Sequence, residues 1–330
     1  MASEAQLIDR IRRGLPSRPG PAHRVLLLGV GDDAALLRIS STRDWAVSTD
    51  AFLEGVHFLP KLHSPDAIGF KALARATSDL AAMGAHPRFF LLNLALPPSR
   101  TQKWLDGFLH GMSRAARRFG MLLAGGDTTI SARVAVNLTV LGEAASGQAV
   151  RRSGASPGDL ICVSGRLGEA ALGLLLIRRR RNWPKNISRL LARHLYPAPR
   201  IALGAWLAEK RLATAMIDIS DGLSTDLGHL CEASGCGARI WRERIPVAHI
   251  PAALIRLPLD PLQLALHGGD DYELLFTIPS RAARRLPRTF GRVPITVIGE
   301  ITREKKILLI DSRGRASVLR AAGWDPFRSR

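Results

Sequence analysis

The sequence predicts two domains, each of mixed α/β (α+β) build. Three observations predict it. The chain has 330 residues, more than one average domain holds. Short apolar runs alternate with segments of helical periodicity in both halves. Ser146, Gly147, Gly154, Ser156, Pro157 and Gly158 cluster near residues 145–157, which divides the chain into residues 1–148 and 149–330.

In the first half, Leu7, Ile8, Ile11 and Leu15 recur at helical spacing, which excludes a secretory signal peptide. Val25–Val30 is a predicted strand, Gly31-Asp32-Asp33 a turn and Ala34–Ile39 a second strand. Trp45–Ser48 is a third strand, ending in Thr49-Asp50. Helices over 66–84 and 101–119 flank the strand Arg88–Leu96. Met121–Ala124 runs as a strand into Gly125-Gly126-Asp127, and the strand Arg133–Ala144 closes the half. In the second half the predicted strands are Leu160–Ser164, Ala215–Ile219, Leu274–Ile278 and Ile295–Ile298. The predicted helices are Gly168–Arg179, 186–195, 199–209 and Leu223–Ala233, the last ended by Gly235.

Composition narrows the function. Hydrophobic residues make up 46% and charged residues 23%, as a packed globular core requires, and aromatics are only 5%, so that core is mainly aliphatic. Lys plus Arg total 47 against 28 acids, a net charge of +19. The excess is scattered rather than striped, and no aromatic stacking platform or recognition motif accompanies it, so nucleic-acid binding is not expected. The one dense block, Arg178 to Arg181, follows the apolar run Ala170–Ile177 and reads as a solvated helix end. Cys162, Cys231 and Cys236 form no zinc-type pair, and their low, odd number fits a reducing cytoplasm. No apolar run approaches the roughly 20 residues of a membrane helix.

The informative residues are aspartates. Asp32, Asp33, Asp50, Asp79, Asp127, Asp218, Asp221, Asp270 and Asp271 lie in short segments flanked by Gly, Ser or Thr, most directly after an apolar strand. Any one such element reads as an ordinary turn. Several carboxylates gathered at one rim would repel one another unless a hard cation such as Mg²⁺ neutralised them. That arrangement suits phosphoryl transfer, which needs positioning and charge neutralisation rather than a protein nucleophile. Asp79 lies on the helix face of Ala72, Ala76 and Met83. Three readings stand open for it: a metal ligand, a cap on a neighbouring turn, or a partner of Arg75 at i−4. The P-loop signature, the protein-kinase motifs and G-x-G-x-x-G are all absent.

At these residues the chain resembles the thiamine-monophosphate kinase family, within the superfamily of aminoimidazole-ribonucleotide synthetase. The segments that carry the resemblance are Gly29-Val-Gly-Asp-Asp-Ala-Ala-Leu-Leu37, Ser48-Thr-Asp-Ala-Phe-Leu-Glu-Gly-Val-His-Phe58 and Lys71-Ala-Leu-Ala-Arg-Ala-Thr-Ser-Asp-Leu-Ala-Ala-Met-Gly-Ala85. Gly125-Gly-Asp-Thr-Thr129, Ala215-Met-Ile-Asp-Ile-Ser-Asp-Gly-Leu223 and Leu266-His-Gly-Gly-Asp-Asp-Tyr-Glu-Leu274 continue it in the family's order.

The resemblance implies an N-terminal ATP/Mg domain that dimerises through its sheet and a C-terminal α/β domain that completes the substrate site. It implies several Mg²⁺ ions, ATP as co-substrate, thiamine monophosphate as acceptor and a homodimer in the cytoplasm, with neither nucleic acid nor membrane as partner. By position, Asp33, Ser48, Thr49, Asp50, Asp79, Asp127, Asp218 and Asp221 resemble metal ligands. Gly126, Asp127, Arg152 and Ser220 resemble ATP contacts, and His57, Asp270 and Trp324 resemble contacts to thiamine monophosphate. Three of these also have a plainer reading: His57 as a core histidine beside Phe58, Arg152 as a loop arginine, Trp324 as a cover on the core. Asp270 departs from the family, which usually carries Glu there, so the carboxylate is drawn back by one methylene. Other members of the superfamily are the alternative enzymes; a selenide-phosphorylating one would need a reactive residue near the N-terminus, and the first cysteine is Cys162.

Overall fold

The computed structural model describes residues 4–15, 24–179, 183 and 185–327. The first half comprises α1 (Glu4–Gly14), β1 (Leu26–Leu28), β2 (Ala35–Arg38), β3 (Arg43–Leu53), α2 (Pro65–Ala82), β4 (His86–Leu96), α3 (Lys103–Phe119), β5 (Leu122–Ile130) and β6 (Ala135–Ala145). Its six strands form one sheet in the order β1-β2-β3-β6-β4-β5. The pairing is antiparallel except at the edge, where β5 runs parallel to β4. The second half comprises β7 (Asp159–Ser164), α4 (Glu169–Arg178), α5 (Lys185–Leu195), α6 (Ile201–Glu209), β8 (Ala215–Ile219), α7 (Leu223–Ser234), β9 (Gly237–Trp241), α8 (Pro261–His267), β10 (Glu273–Pro279), β11 (Thr289–Phe290), β12 (Val293–Thr302), β13 (Ile307–Ile310) and β14 (Ala316–Val318). Its sheet runs β14-β13-β9-β12-β7-β10-β8, with β11 paired to β12.

The alternation along β6 explains how the first sheet is packed. Val136, Leu138 and Val140 are buried against Leu73, Leu80 and Phe108 of the helix layer. Among the described residues no helix packs across the opposite face of the sheet. Trp45 stacks on Phe89 there, and Phe89 and Leu91 are exposed, as are Leu122, Leu123 and Ile130 of β5.

α2 joins the two halves. Ser64 caps it, its Oγ accepting from Ala67 N at 3.2 Å, and Pro65 occupies the first turn, where its missing N–H costs nothing. Further along, α2 packs on α6 and β8 of the second half. Gly204 makes that approach possible: a Cβ there would lie 2.0 Å from Ala81 O. The contact brings the C-terminal turns of α2 alongside the end of β8.

Several boundaries differ from the sequence reading. The third strand extends from Arg43 to Leu53, so Ser48, Thr49 and Asp50 lie within it rather than at its end. Gly125-Gly126-Asp127 is likewise strand, since β5 continues to Ile130. Both segments are held by long ladders: β3 pairs with β6 along its whole length, and Gly126 pairs with Leu92. The strands β9, β13 and β14 and the helix α8 were not anticipated. Arg180 and Arg181 of the basic block lie outside the described residues, while Arg178 closes α4, as the helix-end reading requires. Among the described residues no helix is long and apolar enough to cross a membrane.

Candidate active site

Three carboxylates from three elements meet where the halves touch. Asp33 follows the turn between β1 and β2, Asp79 sits near the end of α2, and Asp218 is the penultimate residue of β8. One oxygen from each lies within 4.8 Å of the others. Ser48 Oγ, from the middle of β3, donates to Asp79 Oδ2. Arg152 Nη2 donates to Asp33 Oδ1 at 2.7 Å, and its backbone N–H donates to Asp32.

These charges are not balanced. Asp33 Oδ2 and Asp218 Oδ2 are buried with no hydrogen-bond partner. Burial, then the charges of Asp218, Asp33 and Asp50, push the Asp79 carboxyl well above its ordinary range. Burial and Asp33 push Asp218 up to about 7. Burial and Glu4 push Asp221 up to about 7. Two orphaned carboxylate oxygens, converging with the Asp79 carboxyl from three elements, are a donor set for a hard divalent cation, whose charge would remove the conflict. The residues therefore fit Mg²⁺.

Beside the cluster opens a cavity of about 260 Å³, lined by His57, Arg75, Ser220, Asp221, Asp270, Tyr272 and Trp324 among others. Asp270 and Tyr272 adopt left-handed backbone conformations, with φ of 71° and 50°. Asp270 N–H donates to Ser220 O at 2.8 Å and Tyr272 N–H to Ile219 O at 2.9 Å, which ties this loop to the end of β8. Gly269 lets the backbone come that close, since a Cβ there would lie 2.4 Å from Ser220 O. Both oxygens of Asp270 are taken: Lys71 Nζ donates to Oδ2 and Tyr272 OH to Oδ1, each at 2.8 Å. Burial would raise the Asp270 carboxyl, but Lys71, His194 and Arg75 more than offset it and hold it below its usual range.

His57 Nδ1 accepts from Leu53 N–H at 3.0 Å. Burial and then Arg75 pull His57 down to about 4, so it faces the cavity neutral at pH 7. Trp324 N–H donates to Asp221 O at 3.0 Å. A second cavity, of about 740 Å³, shares Ser220, Asp221 and Trp324 with the first and continues past Arg152 beneath α1.

The structure gathers Asp33, Ser48, Asp79 and Asp218 directly, with Arg152 ion-paired to Asp33 and Asp50 near enough for its charge to act on Asp79. Of the three readings open for Asp79, pairing with Arg75 gives way to pairing between Arg75 and Asp50 across the gap to β3. Thr49 points to the other sheet face, where Thr139 Oγ1 donates to its hydroxyl at 3.3 Å; only its main chain is left for the cluster. Gly126 and Asp127 lie on the exposed edge strand β5 and outside the three-carboxylate group. Lys71, Arg75, Tyr272 and His194 were missed as site residues. Lys71 and Arg75 had a legible signal, because 71, 75 and 79 repeat at i, i+4 along one helix face. His194 had none; it meets Lys71 and His63 across more than a hundred residues of chain.

Comparison with known proteins agrees with this two-domain fold. Residues 31–144 match the family model of the AIR synthase related protein, N-terminal domain, and residues 156–311 match that of the C-terminal domain. The chain is 40% identical over 304 residues to the thiamine-monophosphate kinase of Escherichia coli (strain K12), covering 91% of this chain and 92% of the relative. It is 36% identical over 316 residues to that of Bacillus subtilis (strain 168), covering 93% and 95%. Among solved structures it superposes on "AaThiL complexed with AMPPCP and TMP" with a TM-score of 0.84 at 31% identity, covering 98% of this chain and 97% of that one. It also superposes on the thiamine-monophosphate kinase from Stenotrophomonas maltophilia K279a with a TM-score of 0.76 at 37% identity, covering 94% and 96%.

Proposed function

The chain belongs to the thiamine-monophosphate kinase family, and from that premise we propose that it transfers the γ-phosphoryl group of ATP to the phosphate of thiamine monophosphate, giving thiamine diphosphate. The observation that carries the reading is the carboxylate cluster set beside two cavities that share Ser220, Asp221 and Trp324. Two phosphorylated substrates can then approach one metal-binding rim from different sides.

In this reading residues 1–148 supply most of the metal site and residues 149–330 complete the substrate site. Asp33, Asp79 and Asp218 would hold Mg²⁺, with Ser48, Asp50, Asp127, Asp221 and the Thr49 main chain as further candidate ligands, and the ion would supply charge neutralisation at the transferring phosphoryl group. Arg152, Ser220 and Gly126 serve ATP, with the larger cavity giving room for the nucleoside. His57, Asp270 and Trp324 border the acceptor. The acceptor phosphate is already an anion at neutral pH and attacks in line without a strong general base. The protein's own work is to align the two phosphates and exclude water between them.

The reading also takes the protein to be a cytoplasmic homodimer. The uncovered apolar face of the first sheet, with Phe89 and Leu91 exposed, supports the pairing.

The deciding experiment is Mg²⁺-dependent ATP turnover with thiamine monophosphate, set against thiamine and aminoimidazole precursors. Turnover with thiamine monophosphate alone, yielding the diphosphate, is the expected result. Turnover only with an aminoimidazole precursor would move the chain to another branch of the superfamily.

A further inference from the structure

At the inner end of the smaller cavity stands an arginine with no role assigned above. Arg75 lies on α2 one turn before Asp79 and lines the cavity next to Asp270 and Tyr272. Its side chain is 16% exposed. Nη2 donates to Asp50 Oδ1 at 3.2 Å. Nε is 3.2 Å from Asp50 Oδ2, but its N–H misses the oxygen and the buried atom has no hydrogen-bond partner. The guanidinium carbon rests 5.1 Å from the centre of the Phe52 ring, which fixes the plane of the group.

A guanidinium has five N–H donors in a rigid fork, and among the described residues Arg75 hydrogen-bonds to one carboxylate alone. An arginine inside a folded protein ordinarily satisfies more of its donors than this. The remaining edge is free for an anion. The neighbouring charges that act on Arg75 are Asp50, Asp270 and Asp79 together with the Tyr272 phenol, so it stands between the metal cluster and the acceptor cavity. Of the other cations nearby, Lys71 is buried and bonded to Asp270, while Arg178 lines the same cavity from the exposed end of α4, away from the metal cluster's neighbouring charges that act on Arg75.

We propose that Arg75 binds the phosphate of the acceptor. Asp50 anchors one edge of the fork while the other edge donates to the phosphate oxygens that do not attack. It thereby holds the acceptor at the metal rim and favours thiamine monophosphate over unphosphorylated thiamine. This deepens the kinase reading and rests on it.

Calorimetric titration of thiamine monophosphate and of thiamine, each with Mg²⁺ and AMPPCP present, tests the proposal in wild type, Arg75→Met and Arg75→Lys. Wild type should prefer thiamine monophosphate, and Arg75→Met should lower that preference about tenfold or more, the scale of one charged hydrogen bond, with Arg75→Lys recovering part of it. In steady state, KM for thiamine monophosphate should rise in Arg75→Met while KM for ATP stays in place. An unchanged preference in a folded Arg75→Met, with only the Mg²⁺ requirement altered, would show a counter-ion to Asp50 and overturn the proposal. Should Arg75→Met fail to fold, Arg75→Lys decides by the same ratio: a preference equal to wild type would argue against fork-specific binding. A wild type that does not prefer thiamine monophosphate would sink the kinase reading and this inference together.

Discussion

Lys71 Nζ donates to Asp270 Oδ2 at 2.8 Å from a side chain that is 2% exposed, so an ammonium group nearly without water has one carboxylate as its charged partner and the His194 ring, at 3.3 Å, as a neutral one. Asp270 is 29% exposed and has Tyr272 as a second partner. The two ends of the pair are therefore unequal. Asp270→Asn strands a buried cation and should cost about 3 kcal/mol of stability. Lys71→Met should cost less, and the double variant should recover much of the Asp270→Asn loss. Urea unfolding of the three variants and wild type closes the cycle; strictly additive losses would mean the pair is not coupled.

Asp79→Asn should separate stability from function. It removes one of three converging acids, so the metal-free protein should melt no lower than wild type. Turnover should nevertheless fall on the order of 100-fold or more, and Mg²⁺ should no longer raise the melting temperature. A variant with near-wild-type turnover would take Asp79 out of the metal set.

Stability of the metal-free protein should fall as pH rises. Asp218 and Asp221 titrate at about 7 in the fold, above the ordinary carboxylate range. A raised folded value gives stability that is present in acid and is lost as pH climbs toward and through about 7. Mg²⁺ needs the ionised carboxylates, so the melting-temperature gain on adding it should be larger at pH 8 than at pH 6. A gain that is equal, or larger at pH 6, would show that these acids do not bind the metal.

A charge placed on the open sheet face should break the proposed dimer. Leu91 is exposed on β4 and pairs with Thr139 of β6 and Gly125 of β5. Leu91→Lys should give a monomer by light scattering at micromolar concentration, while wild type remains a dimer. Wild type that is itself monomeric would remove the interface from the reading.

The acids were legible because Gly, Ser and Thr around Asp33, Asp79 and Asp218 set them apart in a basic chain. Their partners were harder to read. Arg75 stood four residues from Asp79 and invited pairing along the helix, but Asp50 approaches from β3 and takes the guanidinium. Local spacing cannot show a competitor from another element. The long central strands carried their apolar patterns openly. β13 did not, because Ile307–Ile310 finds its register beside β9, far earlier in the chain, and β14 exists only by pairing with β13. The extension of β3 through Asp50 has the same origin: the partner strand β6, rather than the Ser-Thr-Asp composition, keeps it extended.

α2 carries Lys71, Arg75 and Asp79 on one face. Successive members are separated by about 6 Å along a helix axis. The helix thus acts as a ruler, with the Lys71–Asp270 ion pair at one mark, an arginine at the next and the carboxylate cluster at the third. Its marks cannot slide independently. One residue inserted between 71 and 79 would turn everything beyond it by about 100° and aim Asp79 away from Ser48. Single substitutions on this face alter one step of the alignment, whereas a change in its length dismantles all three at once.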